Sequence, residues 1–127
     1  MHTRRLLTFT LGAAGKVPDQ PPPYFPQPIF EAGFEVDAAL AAEGETLYLG
    51  KTCYGCHGGD AVAGGMAPDL RASAIAMSEM EARFASVVRD GERLSRAMPA
   101  FPDITDAQLL AIRHYIRRQA HAAVNGP

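Results

Sequence analysis

Apolar residues along the chain form three helical patterns and one alternating pattern. Over residues 37–50, Leu40, Leu47 and Tyr48 make one apolar side among small alanines, with Asp37 placed as N-cap and Gly50 as stop. Met80, Phe84, Val87 and Val88 follow an i, i+4, i+7, i+8 spacing. Ser78-Glu79-Met80-Glu81 reads as the capping box that opens this helix, and Asp90-Gly91 ends it. Leu109, Ile112, Tyr115 and Ile116 share one side of a last helix, opened by Thr105-Asp106-Ala107-Gln108. Arg113, Arg117 and Arg118 fall on or beside its polar side, the later two also suiting the C-terminal end of the helix dipole. Gly44 interrupts the first helix, where glycine costs about 1 kcal/mol against alanine. Close approach of another helix explains it, a plain interruption being the alternative. Tyr115 faces the same way as Ile112 and is placed to fill the space beside Gly44.

The alternating pattern comes first in the chain. Leu7, Phe9 and Leu11 alternate with Thr8 and Thr10 and stop at Gly12, the period of a strand. A second reading takes Arg4, Arg5, the short apolar run and Ala13-Ala14 as a signal peptide, though Thr8 and Thr10 break the run. A lone strand over residues 1–15 has no sheet to join, which points to a piece of something larger. Residues 16–38 are a linker rich in proline (Pro18, Pro21, Pro22, Pro23, Pro26, Pro28), semi-rigid and extended. Tyr24, Phe25, Ile29, Phe30 and Phe34 are too apolar for a solvated tether and are expected to lie against a surface, of this domain or of a neighbour. Residues 39–127 form the remaining domain.

Chemistry enters at Cys53-Tyr54-Gly55-Cys56-His57. Two cysteines three apart with a histidine directly after the second are the attachment motif for c-type haem. The thiols add to the vinyl groups, and the adjacent imidazole lies under the iron as proximal ligand. A redox dithiol would want a βαβ setting, which the surrounding pattern lacks. A zinc site would want a second ligand pair, which His2, His114 and His121 do not make.

Length and composition fit this reading. A chain of 127 residues without Trp and with 8% aromatics buries a modest core, and a covalent haem would supply an apolar centre. The net charge of −2 predicts neither nucleic-acid nor membrane-surface binding, and no apolar run reaches a membrane span. Thioether attachment is made outside the bacterial cytoplasm, so a periplasmic setting is expected.

After His57, four glycines (58, 59, 64, 65) make residues 58–70 a loop. The Pro68 carbonyl is free to accept the second ring N–H of a proximal histidine, and Leu70 is a candidate for packing on the porphyrin. For the other axial position, Met80 is explained by its helix face and Met77 as a cover over the helix start. Met66 is within chain reach but is pinned to the proximal side if Pro68 holds His57. Met98 sits in a loop outside any apolar stripe, precedes Pro99, and lies 41 residues beyond His57. It is the expected distal ligand, the alternative being a methionine that plugs the crevice without bonding. His/Met ligation leaves no open site and suits electron transfer.

Taken in order, Gly44, Tyr48, Cys53-x-x-Cys56-His57, Pro68-x-Leu70, Met98 and Ile112-x-x-Tyr115 resemble a class I cytochrome c over roughly residues 39–122. The resemblance implies an all-α fold of three to five helices around a covalent haem, with first and last helices crossing through Gly44 and Tyr115. It also implies Pro68 as carbonyl partner of His57 and Met98 as distal ligand, with Leu70 and Tyr115 beside the cofactor. Tyr48 to Cys53 is one residue longer than that family's spacing, so a looser end of the first helix is expected.

More narrowly, CHGGDAVAGGMAPDLR, VVRDG and AMPAFPDIT resemble the C-terminal cytochrome c domain of bacterial quinohaemoprotein alcohol dehydrogenases. RLLTFTLG resembles the closing strand of their β-propeller, and PPPYFPQP resembles their linker. The resemblance implies one haem c, no pyrroloquinoline quinone (PQQ) site in this chain, and no enzyme activity of its own. A PQQ dehydrogenase domain would donate electrons, and an external redox protein or quinone pathway would take them. The competing readings are a free-standing periplasmic cytochrome and a haem sensor or peroxidase-like protein with an open iron.

Overall fold

The computed structural model describes residues 25–63 and 67–125, with residues 8, 10–12, 14–16 and 19 of the N-terminal arm. Regular structure among the described residues is all helical: α1 (Ala38–Gly50), α2 (Tyr54–His57), α3 (Glu81–Val88) and α4 (Asp106–Asn125), with short 3-10 turns between them. The strand expected over residues 7–11 rests on Leu7 and Phe9, which lie outside the described residues. Thr8, Thr10 and Leu11 are exposed.

α1 starts where its sequence directs. The Asp37 carboxylate accepts from the Ala39 and Leu40 N–H groups at 2.8 and 2.9 Å. Its buried face is Ala41, Gly44 and Tyr48, while Leu40 and Leu47 are only half-buried at the edges. The reason is the crossing with α4. A Cβ on Gly44 would stand 1.9 Å from the Ala111 carbonyl oxygen and 2.9 Å from the Ile112 nitrogen. Backbone, and not the Tyr115 ring, fills the space beside Gly44. Tyr115 lies one turn further along α4 and pairs with Tyr48, ring centroids 5.0 Å apart.

The longer connection after Tyr48 has a definite form. Thr52 donates to the Leu49 carbonyl at 3.0 Å and Cys53 to the Tyr48 carbonyl at 3.1 Å. Thr52 takes φ +60°. This is a Schellman stop with threonine in the left-handed position that glycine normally fills. Gly50, expected as the stop, is the last helical residue instead.

α4 opens with a reciprocal capping box: Thr105 N–H to Gln108 Oε1 at 3.1 Å, and Gln108 N–H to Thr105 Oγ1 at 3.2 Å. The box expected at Ser78 does not form. Ser78–Met80 is a 3-10 turn, α3 begins at Glu81, and Ser78 donates from N–H (2.9 Å) and hydroxyl to Glu31 Oε1. A carboxylate from 47 residues away outcompetes the local one.

α4 also departs from its expected polar side. Arg113 and Arg117 are 5% and 0% exposed. The segment 29–37 runs over this side of the helix as a strap, and the 3-10 turns after Leu70 close beside it. Arg117 answers their carbonyls, donating to Ile29 O (3.3 Å), Leu70 O (3.1 Å), Arg71 O (3.4 Å) and Ser73 O (3.5 Å). Leu70 O and Arg71 O also accept backbone N–H bonds from Ser73 and Ile29, so the guanidinium adds a second donor there and ties the strap to the turns. Burial pushes the Arg117 guanidinium down from its ordinary value.

The strap shows where the linker aromatics go. Phe30 stacks on His121 (4.5 Å) and Phe34 on His114 (4.9 Å), both rings of α4. The Glu31 N–H donates to His121 Nε2 at 3.2 Å and the Asp37 N–H to His114 Nδ1 at 3.1 Å. Phe25, further back, is exposed.

Candidate haem centre

α2 is one turn long, and its spacing sets the chemistry. Cys53, Cys56 and His57 sit at i, i+3 and i+4, on one side of that turn. The His57 N–H bonds back to the Cys53 carbonyl at 3.0 Å. Cys53 is half-buried against the core, Cys56 is exposed, and both thiols are free. Burial pushes the Cys53 thiol above its ordinary range.

His57 is buried, and its Nδ1 lies 2.9 Å from the Pro68 carbonyl oxygen. A carbonyl only accepts, so Nδ1 carries the proton, and in the neutral ring the lone pair is then on Nε2. That is the tautomer a metal ligand needs. The segment carrying Pro68 is itself held. Asp69 accepts from the Arg71 N–H at 3.0 Å and pairs with the Arg71 guanidinium at 3.1 and 2.7 Å. Leu70 N–H donates to the Ala61 carbonyl at 3.0 Å, and Leu70 O accepts from Arg117.

Leu70 and Met98 both lie at the edge of the core. Leu47, Cys53, Leu70, Ile75, Met98 and Phe101 are partly buried and pack against the buried core of Tyr48, Phe84, Ile104, Leu109, Ile112 and Ile116. Met98 follows Ala97, which is left-handed at φ +64°, and its N–H reaches the Arg93 carbonyl at 3.3 Å. Met77 and Met80 are half-buried elsewhere, and Met66 lies outside the described residues.

Tyr115 is placed differently from a residue that simply lines a cofactor. It is 1% exposed, and its hydroxyl donates to the Gly59 carbonyl. The Tyr48 hydroxyl donates to the Gly58 carbonyl at 2.8 Å. Tyr48 had entered the sequence reading only as part of an apolar face. The signal available was its hydroxyl, since a buried tyrosine needs an acceptor. Asp69, Arg71 and Arg117 were missed as supports because charged residues read as surface by default.

The residues present fit a covalently attached haem. Two free thiols, an imidazole whose Nδ1 faces a carbonyl and a partly buried thioether, with further partly buried apolar side chains at the edge of the core, are the donor set such a group needs. Among the described residues no group of three or more His, Cys, Asp or Glu converges as a metal cluster. No helix among them is long and apolar enough to cross a membrane.

A family model described as cytochrome c oxidase, cbb3-type, subunit III matches residues 39–116. The chain is 34% identical over 122 residues to a lupanine 17-hydroxylase [cytochrome c] of Pseudomonas sp., spanning 94% of this chain and 16% of that protein. It is 34% identical over 119 residues to the quinohemoprotein alcohol dehydrogenase ADH-IIG of Pseudomonas putida, covering 92% and 16%. It is 38% identical over 104 residues to quinohemoprotein alcohol dehydrogenase ADH IIB of the same species, covering 78% and 14%. The chain thus spans about a sixth of the length of these relatives. No solved structure matches it.

Proposed function

The chain belongs to the family of the cytochrome c oxidase, cbb3-type, subunit III domain, and from that premise we propose that it takes electrons from a PQQ dehydrogenase domain and passes them to an external acceptor. Membership implies a covalently bound haem c and an electron-transfer role. Bound haem c supplies one-electron exchange between ferric and ferrous iron. Cys53 and Cys56 would hold the group as thioethers, His57, oriented by the Pro68 carbonyl, would ligate its iron through Nε2, Met98 would supply the second ligand, and Leu70 would pack beside it. The quinone-bearing donor is supported by two relatives that are quinohemoproteins and by the small part of their length that this chain spans. The acceptor is a redox protein or quinone pathway, and the setting is the periplasm, where thioether attachment is made.

The observation that carries the reading is the His57 Nδ1 to Pro68 O bond. It orients the imidazole beside the two thiols and directs Nε2 to the ligand role. The test is to express the full chain with a bacterial export signal and haem-attachment machinery, then measure haem by the pyridine haemochrome and the ferric spectrum. One thioether-bound haem per chain and a methionine-sulfur charge-transfer band are expected. Met98→Ala should remove that band, lower the reduction potential and admit cyanide or carbon monoxide, with haem still attached. Ready ligand binding by the unmutated protein would refute Met98 ligation and favour an open-iron sensor or peroxidase.

A further inference from the structure

Two buried hydroxyls from different helices end on consecutive carbonyls. Tyr48 of α1 donates to Gly58 O, and Tyr115 of α4 donates to Gly59 O. These are the first two carbonyls after His57. The tyrosines are 0% and 1% exposed and their rings are already paired. Phenylalanine would fill nearly the same volume at the helix crossing without two interior hydroxyls to satisfy. A buried hydroxyl is retained at low cost only where an acceptor is held for it.

The carbonyls belong to a closed turn. Gly58 is left-handed at φ +75°, and a Cβ there would stand 2.1 Å from the Val62 carbonyl oxygen, so the turn folds tightly on itself. Ala61 N–H returns to Gly58 O at 3.3 Å. Ala61 O then accepts from Leu70 N–H at 3.0 Å. Two residues before Leu70, Pro68 O accepts from His57 Nδ1 at 2.9 Å. The bonds run from His57 through the turn to Leu70 and Pro68 and back to His57. The tyrosine hydroxyls fasten this ring to the crossing of α1 and α4. Burial raises both phenols above their ordinary value, so they remain donors across the working pH range.

We propose that Tyr48 and Tyr115 are positioning residues for His57, holding the turn that sets its bond to Pro68 and so tuning the basicity of the ligand. The inference rests on His57 ligating haem iron. A firm Nδ1 hydrogen bond makes the imidazole a stronger donor, which favours ferric iron. Slackening the turn weakens that bond and raises the reduction potential.

The experiment uses the full holoprotein with Tyr48→Phe, Tyr115→Phe and the double variant, which keep both rings. Haem content and the methionine band stay unchanged. The double variant shifts the ferric/ferrous equilibrium towards ferrous by about threefold, about 28 mV at 59 mV per tenfold for one electron. The single variants shift it less, and the ferric electron paramagnetic resonance g-values move with it. Val87→Ala, a buried α3 change outside the main core cluster, serves as the control. It lowers stability and leaves the potential alone. Unmoved potentials and g-values in all three tyrosine variants would overturn the inference, as would an equal shift from Val87→Ala. If the double variant does not fold, the single variants decide by the same criterion. Absence of haem from the unmutated protein would overturn the proposed function instead, a result distinct from either.

Discussion

Gly44→Ala is the change to which this fold is expected to be most sensitive. The added methyl would meet the Ala111 carbonyl oxygen at 1.9 Å, against an ordinary contact of 3.4 Å or more. Relief requires α1 and α4 to part by about 1.5 Å. The obstacle is backbone, so no rotamer change can supply it. Parting them unpacks Ala41, Tyr48, Ala111 and Tyr115, all at most 1% exposed. Forced overpacking costs about 1–3 kcal/mol, and loss of the packed crossing adds a similar amount. Better helix propensity returns about 1 kcal/mol. The net expectation is a loss of about 1–5 kcal/mol. Guanidinium unfolding of the holoprotein, followed by helical circular dichroism, should show a midpoint lower by about 1 M. Ala111→Gly in the same chain should not rescue it, because the clash is with the carbonyl and not with the Ala111 methyl. Stability within about 0.5 kcal/mol of the parent, a size typical of changes away from such contacts, would refute the close crossing. Rescue by Ala111→Gly would refute its backbone nature.

Thr52→Gly should stabilise the protein by about 0.5–1 kcal/mol, since Thr52 is a β-branched residue at φ +60° in a Schellman stop; a destabilised variant in thermal unfolding would count against that geometry. Arg117→Met should cost about 1–3 kcal/mol, because it removes the buried guanidinium that joins the strap carbonyl of Ile29 to the turn carbonyls of Leu70 and Arg71, and chemical unfolding measures it; a neutral result would mean water replaces the guanidinium. Stability should also fall as pH drops below about 6.5, the ordinary histidine value. His114 and His121 accept strap N–H bonds through unprotonated nitrogens, and burial holds both below that value. The unfolded chain therefore binds more protons. The contribution is complete above about 6.5 and is lost towards the lower folded values. Asp37 and Glu31 favour protonation, whereas Arg113 and Arg117 oppose it. Denaturant midpoints between pH 7.5 and 5 should show the slope, and His114→Asn with His121→Asn should flatten it; equal slopes would remove the strap as its cause.

Much of the helical frame was legible because it is local. The period of Leu109, Ile112 and Ile116, the Thr105 box and the Asp37 cap are each settled within a turn or two of chain. The candidate site was legible at Cys53-Tyr54-Gly55-Cys56-His57 for the same reason, its chemistry lying in adjacent residues. What could not be read depends on partners far along the chain. Ser78 looks like a cap until Glu31 arrives, and Arg117 looks like surface until the strap covers it. The two tyrosines look apolar until their acceptors in the glycine turn are known. The extra residue before Cys53 was visible as a count, but its resolution into a left-handed threonine needed the backbone.

The crossing of α1 and α4 also fixes an order of events. Gly44 meets Ala111, and the strap at Ile29 and Glu31 meets Arg117 and His121, across 88 and 90 residues of chain. Such contacts close last, after the entropy of a long loop has been overcome. During synthesis, α1 therefore has its main packing partner only once the last helix is present. The segment that carries Cys53 and Cys56 waits on the same helix, because the Tyr115 hydroxyl reaches the Gly59 carbonyl just beyond it.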